Sequence, residues 1–212
     1  MRAMPFATPS SSPLGPPTHS AVIVTVPAAE PVVARHRREL DASAPWGVPA
    51  HVTVLYPFMN PVQLDDGVHS KLRGAVASVP EFTTTFSRTS WFADKVLYLA
   101  PEPAAPFRDL IVSVAAAFPD HPPYEGLFDD VVPHLTVGHG VPVETLRAVE
   151  RQVEPGLPVQ MRVTDVQVIV GRPEVGGVWD VAARFPLARL PLSGGPLSAQ
   201  RSAASGSRGA TT

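Results

Sequence analysis

The sequence predicts an α+β fold with antiparallel or mixed sheet, in two similar lobes that share a cleft. Three observations predict it. Strand and helix signals succeed one another along the chain, without the strict strand–helix–strand rhythm of a parallel sheet. Residues 48–54, VPAHVTV, are echoed by residues 132–137, VPHLTV, so two similar halves each contribute one strand to a shared cleft. A Gly176-Gly177 pair separates two final β-rich stretches, a hairpin signal.

The elements follow in order. SAVIVTVP (20–27) is a buried strand ended by Pro27. PVVARHRRELDAS (31–43) is a helix with proline in its first turn. VPAHVTVLYPF (48–58) is a strand. Apolar residues at Leu64, Val68, Leu72, Val76 and Val79 recur at helical spacing, giving a helix over 62–79. FTTTFSRTSWF (82–92) and KVLYLAP (95–101) are strands around a turn at Asp94, and PFRDLIVSVAAAF (106–118) is a helix. VVPHLTVGHG (131–140) is a strand, and VETLRAVERQVEPG (143–156) is a helix closed by Gly156. VQMRVTDVQVIVGRP (159–173) and VWDVAARFPL (178–187) form the last strand pair. Residues 1–18 and 193–212 are Pro/Ser/Thr- and Gly/Ala/Ser-rich, the composition of disordered tails around one bilobal domain over 19–192.

Composition narrows the function classes. A net charge of −2 does not support a long nucleic-acid track, but leaves room for a small anionic ligand or an RNA end. The absence of cysteine removes disulfide frameworks, Cys-type zinc sites and thiol chemistry. No apolar run reaches the ~18 residues of a membrane span, and Pro and Ser interrupt the N-terminus where a signal peptide would be apolar. A cytoplasmic monomer without a membrane or a stable protein partner is expected.

The two echoed strands carry the chemistry. In a strand, residues i and i+2 point the same way. His51 and Thr53 therefore share one face and Val52 and Val54 the other; His134 and Thr136 repeat the pattern opposite Leu135 and Val137. With 7 histidines in the chain, chance supplies fewer than one His-x-Thr triplet, so two with matched flanks stand out. An imidazole accepts or donates a proton near neutral pH, and a threonine hydroxyl donates to an anionic oxygen. Two such pairs facing each other would hold a phosphate between the threonines, with one histidine activating the nucleophile and the other protonating the leaving oxygen. Such chemistry needs no metal or cofactor, and no carboxylate stands at ligand spacing inside either motif. No Walker loop, G-x-S-x-G elbow or H-E-x-x-H motif competes.

The pair HVTVLYPF and PHLTVGH resembles the 2H phosphoesterase superfamily, named for its two H-x-[ST] motifs and including enzymes known as 2′-5′ RNA ligases and cyclic nucleotide phosphodiesterases. The resemblance extends over most of residues 20–190, through the Tyr-Pro-Phe after the first motif, KVLYLAP, and a closing hairpin with Trp179 and RFPL. It implies a bilobal α+β fold with a cleft between two sheets, no metal, and a substrate that is a 2′,3′-cyclic phosphate or a 2′,5′-type phosphodiester of a nucleotide or RNA end. His51 and His134 would be the catalytic pair, and Thr53 and Thr136 the phosphate anchors. Many members continue the second motif as H-x-T-x-x-Arg, whereas this chain has His139 there.

His139 is a candidate substrate contact, although simple alternation places it on the face opposite His134 unless Gly138 bends the chain. Tyr56, Trp91, Phe92, Tyr124 and Trp179 are candidates for stacking on a base. Tyr124 stands out because its loop precedes the second motif. Arg88, Arg108 and Arg172 are the cations most relevant to an anion, with solvated surface the default for each; Asp129 and Asp130 read as turn residues. His19, His36, His69 and His121 fit surface or terminal positions. Two other functions are compatible with the chain: a protein binding a nucleotide or RNA end without turnover, and an RNA 2′-5′ ligase. Binding alone needs no titrating pair, and a ligase groove fits poorly with only two lysines and near-neutral charge.

Overall fold

The computed structural model describes residues 15–127, 130–174 and 176–189. The expected tails lie outside these residues apart from 15–18, as does Asp129. The described chain has two four-stranded antiparallel sheets. The first is built from β1 (His19–Thr25), β2 (His51–Leu55), β7 (Asp165–Gly171) and β8 (Trp179–Pro186), in the order β2-β1-β7-β8. The second is built from β3 (Phe82–Phe92), β4 (Val96–Glu102), β5 (Leu135–His139) and β6 (Val159–Val163), in the order β5-β4-β3-β6.

The repeat is structural. In the first half a strand, helix α1 (Glu30–Leu40) and motif strand β2 are followed by α2 (Asp66–Val76). In the second half β4, α3 (Ala105–Ala117) and motif strand β5 are followed by α4 (Val143–Val153). Each motif strand takes the outer edge of its own sheet, and the two edges pack against each other. The helices cross over: α1 packs on β5 and α3 on β2, so each half covers the other's motif strand. Most buried apolar side chains, including Val33, Val52, Leu55, Phe86, Leu97, Leu110, Leu135 and Leu146, join in one core running through both halves. That continuity ties the two edges together, because burying apolar area dominates the packing energy.

Several expectations are revised. Residues 159–173 are not one strand: β6 pairs with β3 in the second sheet, and β7 pairs with β1 in the first. Thr164 is the crossing point: the apolar alternation slips by one position there, from Val159, Met161 and Val163 to Val166, Val168 and Val170. The helix expected over 62–79 is confined to Asp66–Val76, started by Asp65, whose carboxylate accepts the Val68 N–H at 2.8 Å. His134 lies just ahead of the strand that begins at Leu135. His36 is not a surface residue: it shares the buried face of α1 with Val33 and Arg37.

Candidate active site

Both motif histidines are held alike. The Nδ1–H of His51 donates to the Pro49 carbonyl at 2.7 Å, and that of His134 to the Val132 carbonyl at 2.8 Å. A carbonyl only accepts, so in each ring the proton sits on Nδ1 and the Nε2 lone pair points the other way. The rings feel each other electrostatically across the two packed edges. Burial pulls the pKa of His51 down to about 4; the Arg37 guanidinium and the His134 ring push the same way, while the Pro49 carbonyl and Asp41 oppose. Burial lowers His134 too, against the opposing bond to Val132.

The two threonines keep the predicted faces, and a shared irregularity extends the pattern. In β2, Thr53 pairs with Ile23 but Leu55 with Val22, so Val54 is an extra residue. In β5, Thr136 pairs with Tyr98 but Gly138 with Leu97, so Val137 is extra. A β-bulge of this kind reverses the alternation beyond it. The third residue after each threonine therefore returns to the site face: Tyr56 in the first motif and His139 in the second. His139 pairs with Val96, and Val96 shares a face with Tyr98, the partner of Thr136. Simple alternation is thus corrected for His139. Gly138 is needed at the bend, because a Cβ there would lie 2.8 Å from Leu40 Cβ and 3.2 Å from Leu146 Cδ2.

Two cavities open on this surface. One, about 150 Å³, is lined by His51, Thr53, Tyr56, Trp46 and Trp179. The other, about 600 Å³, is lined by His134, Thr136, His139, Phe92, Val96 and Tyr124. Tyr124 joins them: its side chain hydrogen-bonds Thr53 and its N–H donates to the Tyr56 carbonyl at 2.7 Å. It does so from a left-handed backbone, with φ of 51°, an uncommon conformation for a non-glycine residue. Phe92 meets the His134 ring edge-on at 4.8 Å between centroids and stacks on Tyr98 at 4.3 Å.

The remaining candidates lie elsewhere. Trp91 donates to Glu150 and is covered by Arg147; Arg88 pairs with Glu102, and Arg172 with Glu174. What the sequence reading missed is Arg37, 2% exposed and paired with Asp41 at 2.9 Å behind His51. The one signal available was its place on the same helical face as Val33 and Leu40. Among the described residues no three His, Asp or Glu side chains are grouped to hold a metal ion, and no helix is long and apolar enough to cross a membrane.

The profile of the 2′-5′ RNA ligase superfamily matches residues 17–173. No curated protein sequence matches the chain. Among solved structures, it is similar to the NADP⁺ complex of Escherichia coli LigT, at 15% identity and TM-score 0.51 over 81% of this chain and 98% of that one. It is also similar to the protein TT0787 of Thermus thermophilus, at 19% identity and TM-score 0.52 over 79% and 97%. A protein described as a phosphoesterase matches at 15% identity and TM-score 0.51 over 81% and 99%.

Proposed function

The chain belongs to the 2′-5′ RNA ligase superfamily, a 2H phosphoesterase-type group, and from that premise we propose that it hydrolyses a phosphodiester by two-histidine acid–base catalysis. The substrate would be a 2′,3′-cyclic phosphate or a 2′,5′-type linkage on a nucleotide or RNA end. The observation that carries this reading is the matched pinning of His51 and His134 at Nδ1, on adjacent strand edges, each with a threonine hydroxyl two residues on.

One Nε2 takes the proton of the attacking hydroxyl or water as its oxygen bonds to phosphorus. The other ring, as imidazolium, delivers a proton to the departing oxygen as that P–O bond breaks. The hydroxyls of Thr53 and Thr136 donate to the non-bridging oxygens, where charge builds in the transition state. Burial, with Arg37 adding to it, keeps His51 neutral at rest, the form a general base starts from, which favours His51 as the base and leaves His134 as the acid. Tyr56, Tyr124 and His139 would contact the rest of the substrate, and the chemistry would proceed without a metal.

The test is turnover of 2′,3′-cyclic nucleotides by the purified protein in EDTA. Wild-type turnover that is lost in both His51→Ala and His134→Ala is the expected outcome. Normal turnover in either variant would sink the two-histidine mechanism, and loss in EDTA would point to a metal instead.

A further inference from the structure

Helix α1 grips the segment that aims His51. Glu30 and Arg37 are seven residues, about two helical turns, apart, so their side chains leave the helix on one face. Glu30 Oε1 accepts the Ala50 N–H at 2.6 Å. Arg37 donates to the Val48 carbonyl at 3.3 and 3.4 Å. Between these two fixed points lies Pro49, whose carbonyl holds the His51 ring. Arg37 is held in turn: its Nε and Nη2 donate to Asp41 Oδ2 at 3.1 and 2.9 Å, and Asp41 Oδ1 accepts both the N–H and the hydroxyl of Ser43.

Burying an ion pair is costly unless the geometry is good, and an apolar pair often serves stability as well. A fully bonded pair at this position is therefore weak evidence of a stability role and stronger evidence of registry. The second motif has no equivalent: among the described residues no side chain other than the His134 ring hydrogen-bonds the backbone of residues 131–133.

We infer that Glu30 and the Arg37–Asp41 pair form a clamp of positioning residues that fixes the Val48-Pro49-Ala50 segment and so aims Nε2 of His51 into the cleft. The inference rests on the two-histidine reading for its catalytic consequence, but not for the geometry it asserts. The charged and titratable groups around His51 are Arg37 and Asp41 from α1 and its C-terminal end, Glu30 by way of Ala50, Tyr56 from the same cavity, His134 from the facing edge, and Tyr124 through Thr53.

The experiment follows the ring directly. The Cε1–H signals of His51 and His134 are titrated by NMR in wild type, Arg37→Met, Asp41→Asn and the double variant Arg37→Met/Asp41→Leu, and kcat and KM on 2′,3′-cyclic nucleotides are measured alongside. Removing the cation while leaving the carboxylate moves His51 titration to higher pH; Asp41→Asn moves it lower; His134 stays in place in both. The double variant, whose buried charges are gone together, folds but loses kcat on the order of 100-fold with KM little changed, the scale of a small misplacement of a reacting group. Wild-type kcat in the double variant, or an unmoved His51 titration in Arg37→Met, would overturn the clamp. If the wild type turns over no phosphodiester, the proposed activity fails, and the titration shift or its absence still decides the clamp.

Discussion

The two motif segments are near copies in sequence and in hydrogen bonding, yet they stand on different supports. Ahead of His51, the backbone is tied to α1 by a glutamate and an arginine, and a buried ion pair sits behind the ring. Ahead of His134, the support is aromatic: Phe92 and Tyr98 pack against the ring edges. Beyond the threonines the bulges match, but the first motif fills its bend with Leu55 and the second with Gly138. The difference teaches that a repeated motif specifies which side chains face the cavities, while the unrepeated surroundings set each group's charge and support.

The largest effect that would break this comparison is unequal loss on removing the rings. His51→Ala and His134→Ala should each lower kcat by about 10²–10⁴, the range of one general acid or base; a residual rate in one that approaches wild type would mean the site has a single essential histidine.

Acid sensitivity comes next. The folded-state pKa of His51 is depressed to about 4 from an unfolded value near 6.5. Between those values the unfolded chain binds more protons, so stability is present above pH 6.5 and falls as the pH drops towards 4. The full difference corresponds to about 3 kcal/mol, to which the lowered pKa of His134 adds in the same direction. Urea denaturation at pH 7.5 and 4.5 measures it. His134→Gln should leave most of the loss in place, and His51→Gln should remove most of it.

A smaller effect sharpens the contrast at the bends. Gly138→Ala places a methyl 2.8 Å from Leu40, and overpacking of that kind costs about 1–3 kcal/mol. Denaturant midpoints should show the loss, and KM should rise as His139 leaves the site face. A fully stable variant with unchanged KM would show that the bulge does not depend on glycine. The smallest effect is expected of Tyr124→Phe, which deletes a hydroxyl that bonds Thr53 across the two cavities. A single hydrogen bond is worth about 1 kcal/mol, seen as a modest fall in the denaturation midpoint and a change in KM larger than that in kcat.

The sequence by itself determined the α+β class and the repeat of strand and motif, and it placed His51 with Thr53 and His134 with Thr136, the four side chains of the proposed site. These are local matters: a period of two puts i and i+2 on one face whatever the strand pairs with. Tertiary structure decided the rest. Which sheet each half of residues 159–173 joins depends on partners far away in sequence: β6 pairs with β3, and β7 with β1. The return of Tyr56 and His139 to the site face depends on an extra residue in each ladder, which only pairing reveals. The role of Arg37 depends on burial: an arginine in a helix reads as solvated until α1 is laid against the segment leading into β2. Alternation along one strand can be read from residue types, but register between strands and the cost of a buried charge arise only when distant segments meet.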